Sequence, residues 1–203
     1  MIGKVFVMAV FFLSFLLSVL LCVPSALAGG TVLDYFFPVG ESSYGIYMAD
    51  SSKPYAVGKA EFVRNLTGGK LVVREFVLDG DGSSARLADE FSYSLALSDT
   101  AVTAKTWTVK SETDRGYPFF LVPYGGLVMF RLPVDGDTVS WDTGPVKDSV
   151  PYQKWRMDAV LDGDVLKIVR SARTFTGKPV PRYCTVEYYQ KGKGKIREVR
   201  GLY

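Results

Sequence analysis

Four short stretches of this chain carry residue types and spacings that could do chemistry. Asp79-Gly80-Asp81-Gly82-Ser83, followed by Glu90, resembles a calcium loop, with oxygen-bearing side chains at the first, third and fifth positions and a glutamate at the twelfth. The sixth position of such a loop needs glycine for its sharp turn, and here it is Ser84. The eighth is normally apolar and here is Arg86. A solvated hairpin turn is therefore the better reading, and no metal ligands are assigned. Trp141-Asp142-Thr143-Gly144 spells the aspartic protease triplet, which needs a second carboxylate to share its proton. Pro145 follows at once, and three letters recur by chance. Asn65-Leu66-Thr67 fits a glycosylation acceptor, which matters only in a eukaryotic secretory route. Adjacent aromatic pairs, Phe36-Phe37, Phe119-Phe120 and Tyr188-Tyr189, must point to opposite faces of a strand, so a sheet carrying them needs a cover or a ligand-lined concavity.

Histidine is absent from all 203 residues. That excludes Ser-His and Cys-His nucleophilic sites, imidazole zinc sites and the commonest general base. No Ser-x-x-Lys occurs after the leader. Carboxylate dyads and oxygen-only metal sites are the remaining catalytic options, and no constellation points to either. The chain is expected not to be an enzyme, to use no cofactor and to have no catalytic residues.

The leader is the most informative segment. Lys4 precedes an apolar run from Val5 to Val23, then Pro24-Ser25-Ala26-Leu27-Ala28. Pro24 ends the apolar helix and Ala26 and Ala28 suit a signal peptidase, which predicts a cleaved signal peptide over 1–28 and a single β-rich extracytoplasmic domain over 29–203. The run of 19 residues exceeds the usual ~7–15 of a signal core and approaches the ~20 that span a bilayer, so a retained anchor is the alternative. A lipoprotein is disfavoured because Leu20-Leu21 precede Cys22 where a small residue is needed. The predicted location is periplasmic or otherwise extracytoplasmic, with membrane contact only through a retained leader.

Without the leader, 23 basic residues face 21 acidic ones, too even a balance to argue for nucleic acid. Cys184 is then the single cysteine, so no intramolecular disulfide forms. Its alternation with Val186 and Tyr188 predicts a buried, inert thiol.

The elements that must position these residues are strands. Phe91, Tyr93, Leu95 and Leu97 alternate with small or polar residues, as do Trp155, Met157, Ala159 and Leu161, the mark of antiparallel sheet with one face in a core. Less regular β-rich stretches lie near 44–49, 55–64, 70–78, 101–109, 127–132, 165–170, 183–190 and 195–200. Asp-Gly-Asp at 79–81, 135–137 and 162–164, and Lys191-Gly192-Lys193-Gly194-Lys195, supply turns. Ser83 to Phe91 reads as a short helix, with Ser84 as cap and Leu87 and Phe91 four apart. The fold class is mainly β, a single curved antiparallel sheet, half-barrel or barrel-like, with at most one or two short helices.

Three segments carry a resemblance. Asp34-Tyr35-Phe36-Phe37-Pro38-Val39-Gly40 with Tyr44 and Tyr47 opens the domain. Leu132-Pro133-Val134-Asp135-Gly136-Asp137 with Trp141 marks its middle, and Glu187-Tyr188-Tyr189-Gln190-Lys191-Gly192-Lys193-Gly194 closes it. In these the chain is similar to a group of mostly uncharacterised bacterial envelope proteins and lipoproteins. It departs from them in the extra Phe37 and in Tyr44 where Trp is usual. The resemblance implies a curved sheet like that of periplasmic lipoprotein carriers, whose half-barrel holds acyl chains, and it implies no catalytic residues.

The expected function is binding of a hydrophobic ligand (a lipid or acyl chain) or an envelope protein partner on a concave sheet face. The alternative is a secreted interaction domain with a dry core. Tyr188, Val186, Phe119, Phe120 and Trp155 are the expected ligand-binding residues. The face shared by Cys184, Val186 and Tyr188 is the more apolar face of its strand and is expected to turn inward. Tyr189 is expected at a rim with its hydroxyl wet.

Overall fold

The computed structural model describes residues 30–36, 40–111, 127–134, 136–142, 154–174 and 176–201. Eleven strands form one sheet: β1 (Glu41–Met48), β2 (Ala56–Asn65), β3 (Gly68–Leu78), β4 (Ala85–Leu97), β5 (Ala101–Ser111), β6 (Leu127–Arg131), β7 (Thr138–Asp142), β8 (Lys154–Asp162), β9 (Val165–Arg173), β10 (Pro179–Gln190) and β11 (Gly194–Arg200). A single short helix, α1 (Val32–Phe36), precedes them among the described residues. The fold is mainly β, a nearly closed barrel-like sheet.

The strand order is β6-β5-β4-β3-β2-β1-β11-β10-β9-β8-β7. Neighbours in sequence pair antiparallel, as hairpins do, except β6 and β7, which do not pair. The first and last strands, β1 and β11, pair in parallel, with Ile46 opposite Glu198, and this pair joins the two meanders into one sheet. The sheet therefore ends on β6 and β7, whose edges face each other across a seam. Trp141, buried on β7, spans it by donating its indole N–H to the carbonyl of Val128 on β6 at 3.0 Å.

The turns expected near 79–81, 162–164 and 191–195 form where the sequence places them, while Asp135 of the remaining one lies outside the described residues. Asp162-Gly163-Asp164 links β8 to β9, and Gly163 takes the positive φ of 55° that a tight hairpin demands. The expected helix over 83–91 does not form. Those residues enter β4, a 13-residue strand paired on both sides. Ser84 could cap a helix locally, but the ladder to β3, joined from Asp89 onward by a second to β5, outweighs one cap.

α1 closes one end of the barrel. Its first turn is held by a reciprocal cap: the Thr31 N–H donates to the Asp34 carboxylate at 2.7 Å, and the Asp34 N–H to the Thr31 carbonyl at 3.0 Å. The Val32 N–H donates to the Asp99 carbonyl, and the Gly192 N–H to that of Asp34, tying the helix to two turns of this end. Val32 and Tyr35 are buried. Phe36 packs edge-on to Phe130 at 4.8 Å and stacks on Tyr189 at 5.4 Å. Behind this plug lies an apolar core that includes Leu95, Val102, Phe130, Trp155, Met157, Leu166 and Ile168.

Candidate functional site

Inward positions on most strands are apolar, but on four strands this parity delivers charges that pair with one another. On β3, Leu71 and Val73 are followed by Glu75; on β9, Leu166 and Ile168 by Arg170. Thr185, Glu187 and Tyr189 face inward from β10, and Glu198 and Arg200 from β11. Lys195 joins them past an irregularity in which Tyr188 pairs with Arg197 but Tyr189 with Lys195. That irregularity re-aims the lysine into the lumen.

These six side chains make an unbroken chain of alternating charge. Glu75 receives both terminal nitrogens of Arg200, at 2.6 and 3.1 Å. The Arg200 Nε–H donates to Glu198 at 2.5 Å. Lys195 bridges Glu198 at 2.8 Å and Glu187 at 2.7 Å, and Arg170 donates to Glu187 at 2.8 Å. The Lys195 side chain is 14% exposed and the other five 9% or less, so water screens these pairs little. Lys195 also lies 4.6 Å from the centre of the Tyr44 ring. Gly58 stands opposite Tyr44 on β2, and a Cβ there would collide with that ring.

The surroundings push every one of these titrations for which a shift is resolved away from neutrality. Burial raises Glu198, but Arg200 and Lys195 outweigh it and hold the carboxyl at about 2. Burial likewise opposes Arg170 and Lys195 in lowering Glu187, and the cations win. Lys195 is lowered by burial and raised further by Glu187 and Glu198, ending well above its ordinary value. Burial raises the phenols of Tyr44, Tyr93 and Tyr189. General acid–base catalysis wants a group poised near the working pH, and none of these is.

A cavity of about 60 Å³ adjoins the chain. One wall is apolar, from Phe36, Leu71, Val73, Phe91 and Met129. The other is Arg170, Glu187, Lys195 and Glu198, with Tyr44, Tyr93 and Tyr189 between. Tyr189 is 3% exposed and its hydroxyl donates to Glu187 at 3.1 Å, so it is an interior bridge and not a wet rim.

The expectation for the C-terminal hairpin is corrected in its faces. Glu187 and Tyr189 line the cavity, so Cys184, Val186 and Tyr188 alternate to the outward face. Cys184 and Val186 are buried there and Tyr188 is half-buried. The more apolar face lost the lumen because the charges on the other face are matched by partners on β3, β9 and β11. Trp155 is buried in the apolar core without lining the cavity. Phe119 and Phe120 lie outside the described residues. Sequence reasoning missed the charge chain, although a signal existed: Glu75 and Arg170 each fall in step with apolar neighbours two and four residues away.

In the loop that resembled a calcium site, the Asp81 carboxylate accepts from the N–H and hydroxyl of Ser83, as a turn aspartate does. Among the described residues no group of three metal-ligating side chains occurs. Compared with known proteins, the chain matches no family model and no curated sequence.

Proposed function

We propose that this protein is a non-enzymatic extracytoplasmic barrel that binds a hydrophobic ligand, a lipid or acyl chain, with the ligand's polar end against the charge chain and its apolar end beneath α1. The mixed lining of the luminal cavity carries this reading. An apolar wall at Phe36, Leu71 and Met129 faces a charged one at Arg170 and Lys195, which is the polarity an amphiphile presents. The leader over 1–28 and the resemblance to envelope half-barrels support the same compartment and ligand class. The shifted titrations described above speak for binding over catalysis.

One observation favours a second reading. Ligand pockets usually measure ~300–1,000 Å³, and this cavity of about 60 Å³ holds only a few waters. A full acyl chain therefore requires Phe36 and α1 to lift. If they do not, the barrel is an interaction domain with a filled lumen, and its partner is another envelope protein.

Lipid extraction from protein purified natively out of its own envelope, with mass spectrometry and uptake of a fluorescent fatty acid, separates the two. The ligand reading expects a co-purified lipid and measurable uptake, reduced at least tenfold by Val73→Phe, which narrows the apolar wall. No lipid and no uptake by the wild type would establish the filled barrel.

A further inference from the structure

Among the described residues, the buried charged side chains of the barrel do not balance. Glu75, Asp89, Glu187 and Glu198 are acidic; Arg170, Lys195 and Arg200 are basic. The chain uses three of each, and Asp89 is left over. It is 1% exposed, and neither of its carboxylate oxygens has a hydrogen-bond partner. Register fixes where it points: Asp89 lies opposite Glu75 on β3, and alternates with Phe91 and Tyr93 along β4, all on the luminal face. Its nearest fixed charge in that row is thus another carboxylate, already gripped by both terminal nitrogens of Arg200. A buried carboxylate without a partner is unfavourable, and a ligand of opposite charge relieves that.

We propose that Asp89 anchors a luminal site for an organic cation of the alkylammonium class. The missing complement is one positive charge with N–H donors, since a carboxylate accepts two such bonds and gains most from a charged donor. A hard divalent metal ion asks for six or more oxygens, and no cluster of three metal-ligating side chains stands here among the described residues. The rings of Phe91 and Tyr93, stacked at 6.5 Å along the same face, add aromatic surface next to the carboxylate, which suits an ammonium. Asp89 does not line the cavity beneath α1 and sits towards the other end of the barrel, beside the 79–84 turn. Its neighbours Glu75, Phe91 and Tyr93 do line that cavity, so the amine and lipid readings share one lumen and are separated by their probes.

The test is titration of the purified protein with n-butylammonium, using 1-butanol as the neutral probe of similar shape, followed by calorimetry and by thermal unfolding. The wild type should bind butylammonium saturably and melt higher in its presence, and butanol should do neither. Asp89→Asn should weaken the amine at least tenfold. Without amine, this variant should melt no lower than the wild type, because the substitution removes no hydrogen bond. Absence of an amine response in the wild type would overturn the site, as would an equal response in Asp89→Asn. An Asp89→Asn protein that melts lower without amine would overturn it too, by showing that the carboxylate already has a structural partner.

Discussion

The two ends of this barrel are filled by opposite means. Beneath α1, Phe36, Phe130 and Tyr189 meet at 4.8–5.4 Å and back onto aliphatic side chains. Towards the other end, Glu75 and Arg200 begin a chain of six charges that crosses from β3 to β9. An apolar end is stabilised by area removed from water, about 1.5–3 kcal/mol for each large side chain, and it tolerates any residue that fills the same volume. A charge chain gains little net stability, because desolvation cancels much of the attraction, but it tolerates no missing member. The first end therefore supplies stability, and the second specifies which strands meet across the lumen.

Conservative substitutions sharpen this contrast most. Lys195→Met keeps the stem of the side chain but leaves Glu187 and Glu198 buried with one cation fewer, and should cost about 3–5 kcal/mol. Leu166→Met, fully buried opposite Tyr189 at the apolar end, should cost under about 1.5 kcal/mol. Urea unfolding of the two variants measures both. Equal losses would erase the distinction between the ends.

Acid should act on one end alone. Glu198 is held at about 2 against an ordinary value of 4.5, a depressed folded-state pKa. Its contribution is complete above pH 4.5 and is lost as the pH falls towards 2. Lys195, raised above an ordinary 10.5, contributes fully below that value and loses its contribution only as the pH climbs beyond it. Stability should therefore be flat through the neutral range and fall by about 3 kcal/mol from Glu198 alone in acid, at ~1.4 kcal/mol per pKa unit. Chemical denaturation at stepped pH reads this directly. In Lys195→Met one of the two cations holding the carboxyl down is gone, so the acid loss should begin at higher pH.

The apolar end was the more legible in the sequence, for a physical reason. Phe91, Tyr93 and Leu95, and Trp155, Met157 and Ala159, alternate cleanly because burial of greasy side chains imposes period two on each strand separately. The charge chain imposes nothing local. Glu75 and Arg200 lie 125 residues apart, so the parity that Glu75 shares with Leu71 and Val73 tells which way it points but not what receives it. The same blindness inverted the faces of β10, where Glu187 is the inward residue only because Lys195 and Arg170 are there to receive it. At β4, Leu87 and Phe91 have a helical spacing. Leu87 lies one residue beyond the irregularity between Glu75 and Phe76, and this kind of two-against-one pairing has no signature in a single strand. Of the expected ligand residues, Trp155 was placed by its own strand's pattern, while Tyr188 and Val186 depended on which face of β10 was lumenal.

The smallest expected effect concerns the seam, where neither end governs. Among the described strands, β6 and β7 each have one unpaired edge, and the indole N–H of Trp141 donates across the gap to the carbonyl of Val128. Trp141→Phe keeps most of the buried ring and removes the donor. A single hydrogen bond contributes about 0.5–1.5 kcal/mol net, so global stability should fall by about 1 kcal/mol. The local effect should exceed the global one, because strands paired on one side open without unfolding the rest. Hydrogen exchange should accelerate over 127–131 and 138–142 and stay unchanged in β3 and β4, which are paired on both sides. If β6 and β7 exchange at the wild-type rate in Trp141→Phe, the seam is held by packing of the ring alone, and the near-closure of the barrel owes nothing to this bond.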